Sequence, residues 1–323
     1  MQKNYNARLL AEARSLDMAI EAHSLLKGDG DVELEGVRHS EREFKCGKTV
    51  TIEILNKQGA KTLGRDIGHY ITIELPGIHE ADAASLIEPA SAEIAKVLAK
   101  MLPRFEAGDA RPILLAGLGN FQTTADAIGP RVISHIQPTN HFFRREFASE
   151  IRPVAAITPG VVGNTGVETA ALIKGVAGEI DPAALVVIDA LAARTIGGVM
   201  SSIQICDTGI RPGSGVQNHR RAINREYLGV PVLAVGIPTV VQAQSIIRES
   251  ASLCLMELDV NRADLPEQVA EQMLSPFEHN LVMTPKEADE LVPLASLIIA
   301  AGITRALHPG ASDGSFAEYM QGV

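Results

Sequence analysis

Two aspartates, Asp126 and Asp189, stand where carboxylates could take part in acid–base chemistry. Asp189 directly follows the apolar run Leu185–Ile188, and Asp126 comes soon after the apolar run Ile113–Ala116. The carboxyl ends of parallel strands border the crevice in which α/β sheets place their active sites. If these two strands are neighbours, the two side chains converge at one edge of the sheet.

Two carboxylates held close together share a proton, because like charges repel. One keeps a proton while its partner stays ionised and can accept a proton from water. Such a pair supplies an acid and a base for hydrolysis of a peptide bond. The structural alternatives are a helix cap for Asp126, and a helix cap or a partner for Arg194 in the case of Asp189.

A loop that contains glycine, Gly117-Leu118-Gly119-Asn120, follows the first of these strands. Its glycines permit a tight turn and a close approach of the backbone to a ligand. A dinucleotide-binding fingerprint would need a third glycine where the chain has Gln122. We therefore predict that Gly117, Gly119 and Asn120 support a substrate site, and we expect no cofactor.

The sequence Asp207-Thr208-Gly209 matches the signature of pepsin-like proteases. Those enzymes are mostly β and need two such loops, whereas this chain carries one copy within an α/β pattern. We predict instead that Asp207, Gly213 and Gly215 belong to a loop beside the site. There, glycine backbone could hold substrate or an oxyanion.

The sequence gives no positive signal for a metal or for a covalent nucleophile. The 9 histidines are scattered without an H-E-x-x-H pair, and no G-x-S-x-G occurs. The 3 cysteines lack close spacing, which favours a reducing compartment over a disulfide framework or a zinc site.

Charge and hydropathy argue against some partners. The net charge is −10 and the pI about 5.4, so the average surface repels phosphate backbones, and we expect no direct nucleic-acid binding. The basic cluster His219–Arg221 with Arg225 could bind an anion, although a solvated face is the simpler interpretation. The N-terminus lacks an apolar signal core, and no uninterrupted apolar run reaches the ~18 residues of a membrane span. We therefore expect a cytoplasmic protein without a membrane partner.

Apolar patterning predicts the elements that position these residues. Buried strands are predicted at Ile113–Ala116, Val154–Ile157, Leu185–Ile188 and Val232–Val235, and an antiparallel pair at 48–55 and 68–75. Helices are predicted around Ile94–Leu102 and at 125–137, 166–178, 238–249 and 285–306. This order predicts a single α/β domain, phosphorylase/hydrolase-like, with a doubly wound, mostly parallel sheet flanked by helices and a small antiparallel addition.

Long strings, in order along nearly the whole chain, resemble the germination proteases of spore-forming bacteria. They are GHYITIE from Gly68, GLGN from Gly117 with DAIGP from Asp126, ITPGVVGNTGVET from Ile157, VVIDALAAR from Val186, IQICDTGIRPGSGVQNHRR from Ile203, GIPTVV from Gly236 and MTPK from Met283. That family is similar in fold to the hydrogenase-maturation endopeptidases, whose G-x-G-N loop and paired acidic positions match GLGN, Asp126 and Asp189.

The resemblance implies an atypical aspartic endopeptidase whose two catalytic carboxylates map onto Asp126 and Asp189. In the hydrogenase-maturation relatives, acidic groups and a histidine bind nickel. A metallopeptidase that uses the same two acids plus a histidine is therefore one alternative. A non-proteolytic nucleotide- or anion-binding protein, with the GLGN loop as an anion cradle, is another.

The resemblance also implies substrates, assembly and processing. Family members are homotetramers, made as inactive zymogens, that cut small acid-soluble spore proteins in the spore core, after an acidic residue followed by a hydrophobic residue and Ala. The string from Arg14 to Ala22 resembles the family's processing site, with the cut between Asp17 and Met18. Residues 1–17 would then be a pro-segment and 18–323 a single peptidase domain. Since the sequence shows no internal repeat and no low-complexity linker, we expect these first residues to be the only peripheral part of the chain. The string Glu146–Glu150 also resembles a substrate, but we expect it to lie in folded structure and to escape cleavage.

Overall fold

A nine-stranded mixed sheet organises the chain in the computed structural model, which describes residues 10–27, 33–80, 82–106, 109–141, 151–213, 220–260, 262, 264–276 and 281–309. The strands are β1 (Val37–Phe44), β2 (Gly47–Ile54), β3 (Gly68–Glu74), β4 (Ile113–Gly117), β5 (Val154–Ile157), β6 (Ala184–Ala193), β7 (Ser202–Cys206), β8 (Val232–Gln242) and β9 (Val282–Met283). The sheet runs in the order β1-β2-β3-β7-β8-β6-β4-β5, and β9 pairs with β8.

Half of the sheet is parallel and half is antiparallel. Strands β8, β6, β4 and β5 pair in parallel, whereas β1, β2, β3 and β7 form an antiparallel run that joins the parallel half at β8. The parallel strands read as continuous apolar runs because they are covered on both faces. The α/β fold with one large sheet is thus confirmed, and its antiparallel part is larger than the predicted addition.

Helices cover both faces of the sheet. They are α1 (Ala19–Lys27), α2 (Lys57–Leu63), α3 (Ile87–Met101), α4 (Ile128–Ser134), α5 (Val162–Thr165), α6 (Thr169–Ile180), α7 (Arg225–Leu228), α8 (Ala243–Glu257), α9 (Leu265–Leu274) and α10 (Ala288–Leu307). Short 3-10 helices lie at Pro76–His79, Ala83–Leu86, Thr124–Asp126 and Ile196–Gly198, and residues 10–15 are helical as well.

The two faces of the sheet carry different helices. Helices α3, α4 and α10 pack on one face over the side chains of β4, β6, β7 and β8. On the opposite face, α6 covers β4 and β6, while α1, α2 and residues 10–15 cover β2 and β3. The second face is the one that bears the candidate site described below.

Helix α10 is long and apolar enough to span a membrane by length and composition, with a mean hydropathy of 1.6 over its most apolar window. However, 61% of that window is buried inside the fold. It packs against α3 and α4 as the central helix of the larger core. Its apolar surface is therefore accounted for by packing within the chain.

The main departure from the predicted elements is at β8. The sequence predicted a strand that ends at Val235 and a helix that begins at 238, but β8 continues to Gln242 and α8 begins at Ala243. Pairing with β6 on one side and β9 on the other buries this extension. Tertiary pairing therefore overrides the local signal of Pro238.

Candidate active site

Asp126 and Asp189 emerge where the winding of the parallel sheet reverses. From β4 the chain crosses to β5 on one side and then returns to β6 on the other, so that β4 lies between them. Such a switch point opens a crevice at the carboxyl ends of the strands. Gly117 on β4 is paired with Ile188 on β6, directly before Asp189. The condition for convergence of the two acids, neighbouring strands, is met.

The GLGN loop holds Asp126 through its backbone. The N–H of Asn120 donates to the Asp126 carboxylate Oδ2 at 2.9 Å and to the Asp126 carbonyl oxygen at 3.0 Å. Gly119 has φ +108°, and a Cβ there would lie 2.0 Å from that carbonyl oxygen. Both the left-handed backbone and the close approach require glycine at this position. The loop thus fixes the place of the carboxylate.

Asp189 is 7% exposed and sits among apolar strand residues. Its Oδ1 accepts a hydrogen bond from the Ala190 N–H at 2.9 Å. Burial raises the pKa of Asp189 well above its ordinary value, and the negative charge of Asp126 raises this pKa further. Both effects favour the protonated form of this carboxyl.

Asp126 lies in a more polar setting. Burial raises its pKa, but the Asn120 N–H and the positive charge of Arg220 act in the opposite direction. Arg220 also lowers the pKa of Asp189, against the larger effects of burial and of Asp126. Arg220, a member of the basic cluster noted in the sequence, thus places a positive charge near the acidic pair. The two environments thus favour different pKa values for the two carboxyl groups. Such a difference separates the roles of acid and base.

The predicted processing site lies beside this pair. The Asp17 carboxylate Oδ2 accepts a hydrogen bond from the Ala192 N–H at 2.9 Å, on the strand that carries Asp189. The negative charge of Asp17 contributes to the raised pKa of Asp189. Met18, which follows Asp17, is 1% exposed. The Asp17–Met18 peptide bond is thus inside the fold and next to the candidate acids.

Gln204 on β7 holds the main chain on both sides of that bond. Its Nε2 donates to the Asp17 carbonyl oxygen at 3.2 Å, and its Oε1 accepts from the Ala19 N–H at 2.7 Å. Arg65 donates to the carbonyl oxygen of Leu16, one residue earlier. Residues distant in sequence therefore bind the main chain of residues 16–19.

Glutamate side chains hold the segment on either side of the candidate cut. Before it, Glu12 is paired with Arg194 at 3.1 Å and with Arg248 at 2.8 Å. After it, Glu21 accepts a hydrogen bond from the Arg194 N–H at 2.9 Å. Burial nevertheless raises the pKa of Glu21 to about 7.

Residues 10–17 are therefore not peripheral, contrary to the sequence-based expectation. Ala13 is fully buried in the core that α1 forms with β2 and β3. Residues 14–17 form one wall of a cleft of about 540 Å³, whose body-side lining includes Arg65, Gln204 and Thr208. Apolar contacts and ion pairs to the body offset the polar character that made this segment look solvent-exposed in sequence.

Asp207 is held by a neighbouring strand. Its Oδ1 accepts from the His69 N–H at 2.8 Å, and its Oδ2 lies 2.8 Å from the His69 Nδ1. This contact ties the end of β7 to β3, a positioning role for the loop that follows. Gly213 lies in that loop with φ +75°. Gly215, like the string Glu146–Glu150, lies outside the described residues.

Within the described ranges, no group of three or more His, Cys, Asp and Glu side chains has the arrangement of a metal site. The acid pair thus has no described third ligand of these kinds. Sequence reasoning missed two groups that contact the processing segment, namely Gln204 and the Ala192 N–H. Only the isolated glutamine within the apolar strand Ser-Ile-Gln-Ile-Cys was a signal that could have been read.

Comparisons with known proteins identify the family of this chain. The family model described as germination protease matches residues 11–260. The chain belongs to the germination protease family. A germination protease of Caldanaerobacter subterraneus subsp. tengcongensis is 40% identical over 316 residues, covering 92% of this chain and 95% of the relative. A germination protease of Clostridium tetani is 38% identical and covers 91% of this chain and 95% of its own length.

Membership of this family makes the chain a peptidase, as the sequence predicted. The match begins within the segment that precedes Asp17 and includes both candidate acids. Among solved structures, a [NiFe] hydrogenase maturation protease from Thermococcus kodakarensis KOD1 covers 65% of this chain and 98% of its own, with 17% identity and a TM-score of 0.35.

Proposed function

We propose that this germination protease is a self-processing zymogen that cuts its own Asp17–Met18 bond and then degrades small acid-soluble spore proteins during germination. One observation carries the proposal: the main chain around Asp17 is bound beside the buried Asp189, which is coupled to the half-buried Asp126 at the switch point of the sheet. A bound, inward-facing peptide next to a proton donor and a proton acceptor is the arrangement that peptide hydrolysis requires.

The two acids take different roles. Asp189, whose pKa is raised well above its ordinary value by burial and by the charge of Asp126, is the proton donor, and Asp126, which accepts a hydrogen bond from the Asn120 N–H, is the base. Asp126 accepts a proton from water as the water oxygen attacks the carbonyl carbon of the residue before the cut. Asp189 then donates its proton to the nitrogen of the residue after the cut as the carbon–nitrogen bond breaks. The products are a new carboxyl terminus and a new amino terminus.

Preference for an acidic residue before the cut follows from the contact of Asp17. The Ala192 N–H donates to its carboxylate, and a charged acceptor strengthens such a bond. A glutamate in the same place would reach the same donor through one more methylene group. We propose that acidic residues of the spore proteins bind in this way.

The segment before the cut keeps the zymogen inactive by occupying the site. Three residues of this segment contact the rest of the protein. Glu12 is paired with Arg194 and Arg248. Arg14 donates to the carbonyl oxygen of Lys61, and the carbonyl oxygen of Leu16 accepts from Arg65. Substrate cannot bind where these contacts hold the chain's own segment. Release of residues 1–17 then opens the cleft.

We further propose a homotetramer in the cytoplasm of the forespore and spore core.

Peptide cleavage tests the function directly. The purified full chain is incubated alone, and the new N-terminus is identified by mass spectrometry. The processed protein then receives a peptide containing Glu-Phe-Ala, with Gln-Phe-Ala as the matched control. Self-cutting after Asp17 and a cut after Glu, but not after Gln, are expected. A chain that stays intact and cuts neither peptide is not such a zymogen.

The metal alternative has its own test. Elemental analysis of the active protein is combined with a chelator challenge. The acid-pair mechanism predicts no stoichiometric metal and an unchanged rate after chelation. Metal in proportion to activity would instead favour the metallopeptidase.

A further inference from the structure

We infer that Gln204 is a catalytic residue that donates a hydrogen bond to the scissile carbonyl oxygen and stabilises the oxyanion formed there. This inference rests on the proposed cut between Asp17 and Met18. The glycine loops were expected to supply this donor from their backbone. The structure instead places a side-chain amide on the carbonyl oxygen of Asp17.

The orientation of the Gln204 amide is fixed by its two partners. The Ala19 N–H can only donate, and the Asp17 carbonyl oxygen can only accept. The reverse orientation of the amide would bring donor against donor and acceptor against acceptor. The NH₂ group must therefore face the carbonyl oxygen that becomes charged during attack.

The position of Gln204 in the sheet brings it to the acid that we propose as proton donor. Gln204 is paired with Gly236, and Gly236 is paired with Asp189 on its other side. Residues in one row across adjacent strands point to the same face, and two strand spacings span about 10 Å. Both side chains are buried, with 7% exposure each. A peptide that lies above Gly236 is thus reached by an acid from one side and by an amide donor from the other.

The chemistry of the step uses this donor. As water attacks the Asp17 carbonyl carbon, a carbon–oxygen bond forms and the carbonyl π electrons move onto oxygen. The Gln204 N–H, 3.2 Å from that oxygen in the resting state, shortens its hydrogen bond to the resulting anion. When the bond to the Met18 nitrogen breaks, the electrons return and the carbonyl is restored. A donor that binds the anion more strongly than the carbonyl accelerates the reaction.

Both contacts of Gln204 are to main-chain atoms. They do not depend on which side chains the substrate carries at those places. The same residue therefore serves the chain's own segment and, in the processed enzyme, a peptide cut in trans. Sequence preference is left to contacts such as that of Ala192 with the acidic side chain.

Two variants separate catalysis from docking. Gln204→Met keeps the shape but loses both hydrogen bonds. Gln204→Glu keeps an acceptor for the Ala19 N–H, and in its ionised form has no proton for the Asp17 carbonyl oxygen. Gln58→Met, on the exposed surface of α2, is the matched control. The full chain is used throughout, and thermal unfolding by circular dichroism confirms that each variant folds.

The readouts are the first-order rate of self-processing after Asp17 and the cleavage of the Glu-Phe-Ala peptide, both across pH. Gln204→Met is expected to slow both by about 100-fold or more, with Gln58→Met at the wild-type rate. The rate of Gln204→Glu relative to wild type is expected to fall as pH rises and its side chain ionises. A folded Gln204→Glu chain with a wild-type rate at every pH would overturn the inference while leaving the protease intact. A wild-type chain that cuts neither bond would overturn the proposed function, and this inference with it.

Discussion

The Asp17 carboxylate accepts a hydrogen bond from the Ala192 N–H at 2.9 Å, on the same strand as Asp189. This contact joins the segment to be removed to the strand that carries the more deeply buried acid. It also makes the side chain before the cut a determinant of where the chain is cut. Strand β6 therefore both binds the side chain before the cut and carries one of the candidate acids.

Replacing Asp17 with Ala should therefore abolish most self-processing. The variant loses the acceptor for the Ala192 N–H and leaves that buried donor unpaired. We expect the processing rate to fall by at least about 100-fold, measured by mass spectrometry of the N-terminus.

Ser15→Ala is the control for this prediction. Ser15 lies in the same segment, is exposed, and its hydroxyl donates only locally to the Glu12 carbonyl oxygen at 2.8 Å. Its processing should match that of the wild type. Equal rates for Asp17→Ala and Ser15→Ala would show that the Ala192 contact does not select the cut.

Gly119→Ala tests the loop that positions Asp126. A methyl group at this position would lie 2.0 Å from the Asp126 carbonyl oxygen, on a backbone with φ +108°. We expect a loss of more than about 2 kcal/mol in the free energy of unfolding, together with loss of cleavage. Gly175→Ala is the control, since Gly175 lies in α6 with open space around its Cβ position. This substitution should leave stability unchanged or raise it. Similar unfolding free energies for the two variants would contradict the account of the loop.

Glu21 predicts a pH dependence of stability. Its pKa is about 7 in the folded chain and near 4.5 when unfolded, so the folded state binds more protons between these values. The contribution of Glu21 to the free energy of unfolding therefore increases as pH falls through this window and is lost as pH rises. Arg194, Asp17 and Arg65 surround the carboxyl, and only burial and Asp17 act to raise its pKa.

Glu21→Gln removes this titration. The quantity compared is the unfolding midpoint of the variant minus that of the parent. This difference should be more positive at about pH 8 than at about pH 5. Both chains carry Asp126→Asn so that processing does not interfere. A difference in midpoint that is the same at both pH values would mean that Glu21 does not titrate in this window.

The parallel half of the fold could be predicted from sequence because strands buried on both faces are recognisable as continuous apolar runs. Ile113–Ala116 and Leu185–Ile188 lie in the neighbouring strands β4 and β6, and an acid follows each run at the switch point of the sheet. The charged strand β1 was not predicted, since its burial pattern is almost wholly exposed and gives no alternation. Pairing with β2 holds it in place.

The contacts of the site were less accessible to sequence reasoning than its acids. Gln204 lies 187 positions from Asp17, and no local pattern reports such a contact. The docking of residues 10–17 depends likewise on distant partners such as Arg248. Local spacing therefore predicts which residues could react, whereas tertiary packing decides which peptide they hold.

The central claim is that Asp126 and Asp189 together hydrolyse the bond after Asp17. The most direct measurement is the processing of Asp126→Asn and Asp189→Asn full chains, with the surface substitution Asp264→Asn as control. The account predicts that both site variants fold, retain their N-terminus uncut and cleave the Glu-Phe-Ala peptide at least about 100-fold more slowly than Asp264→Asn. Near-normal processing by either Asp126→Asn or Asp189→Asn would contradict it.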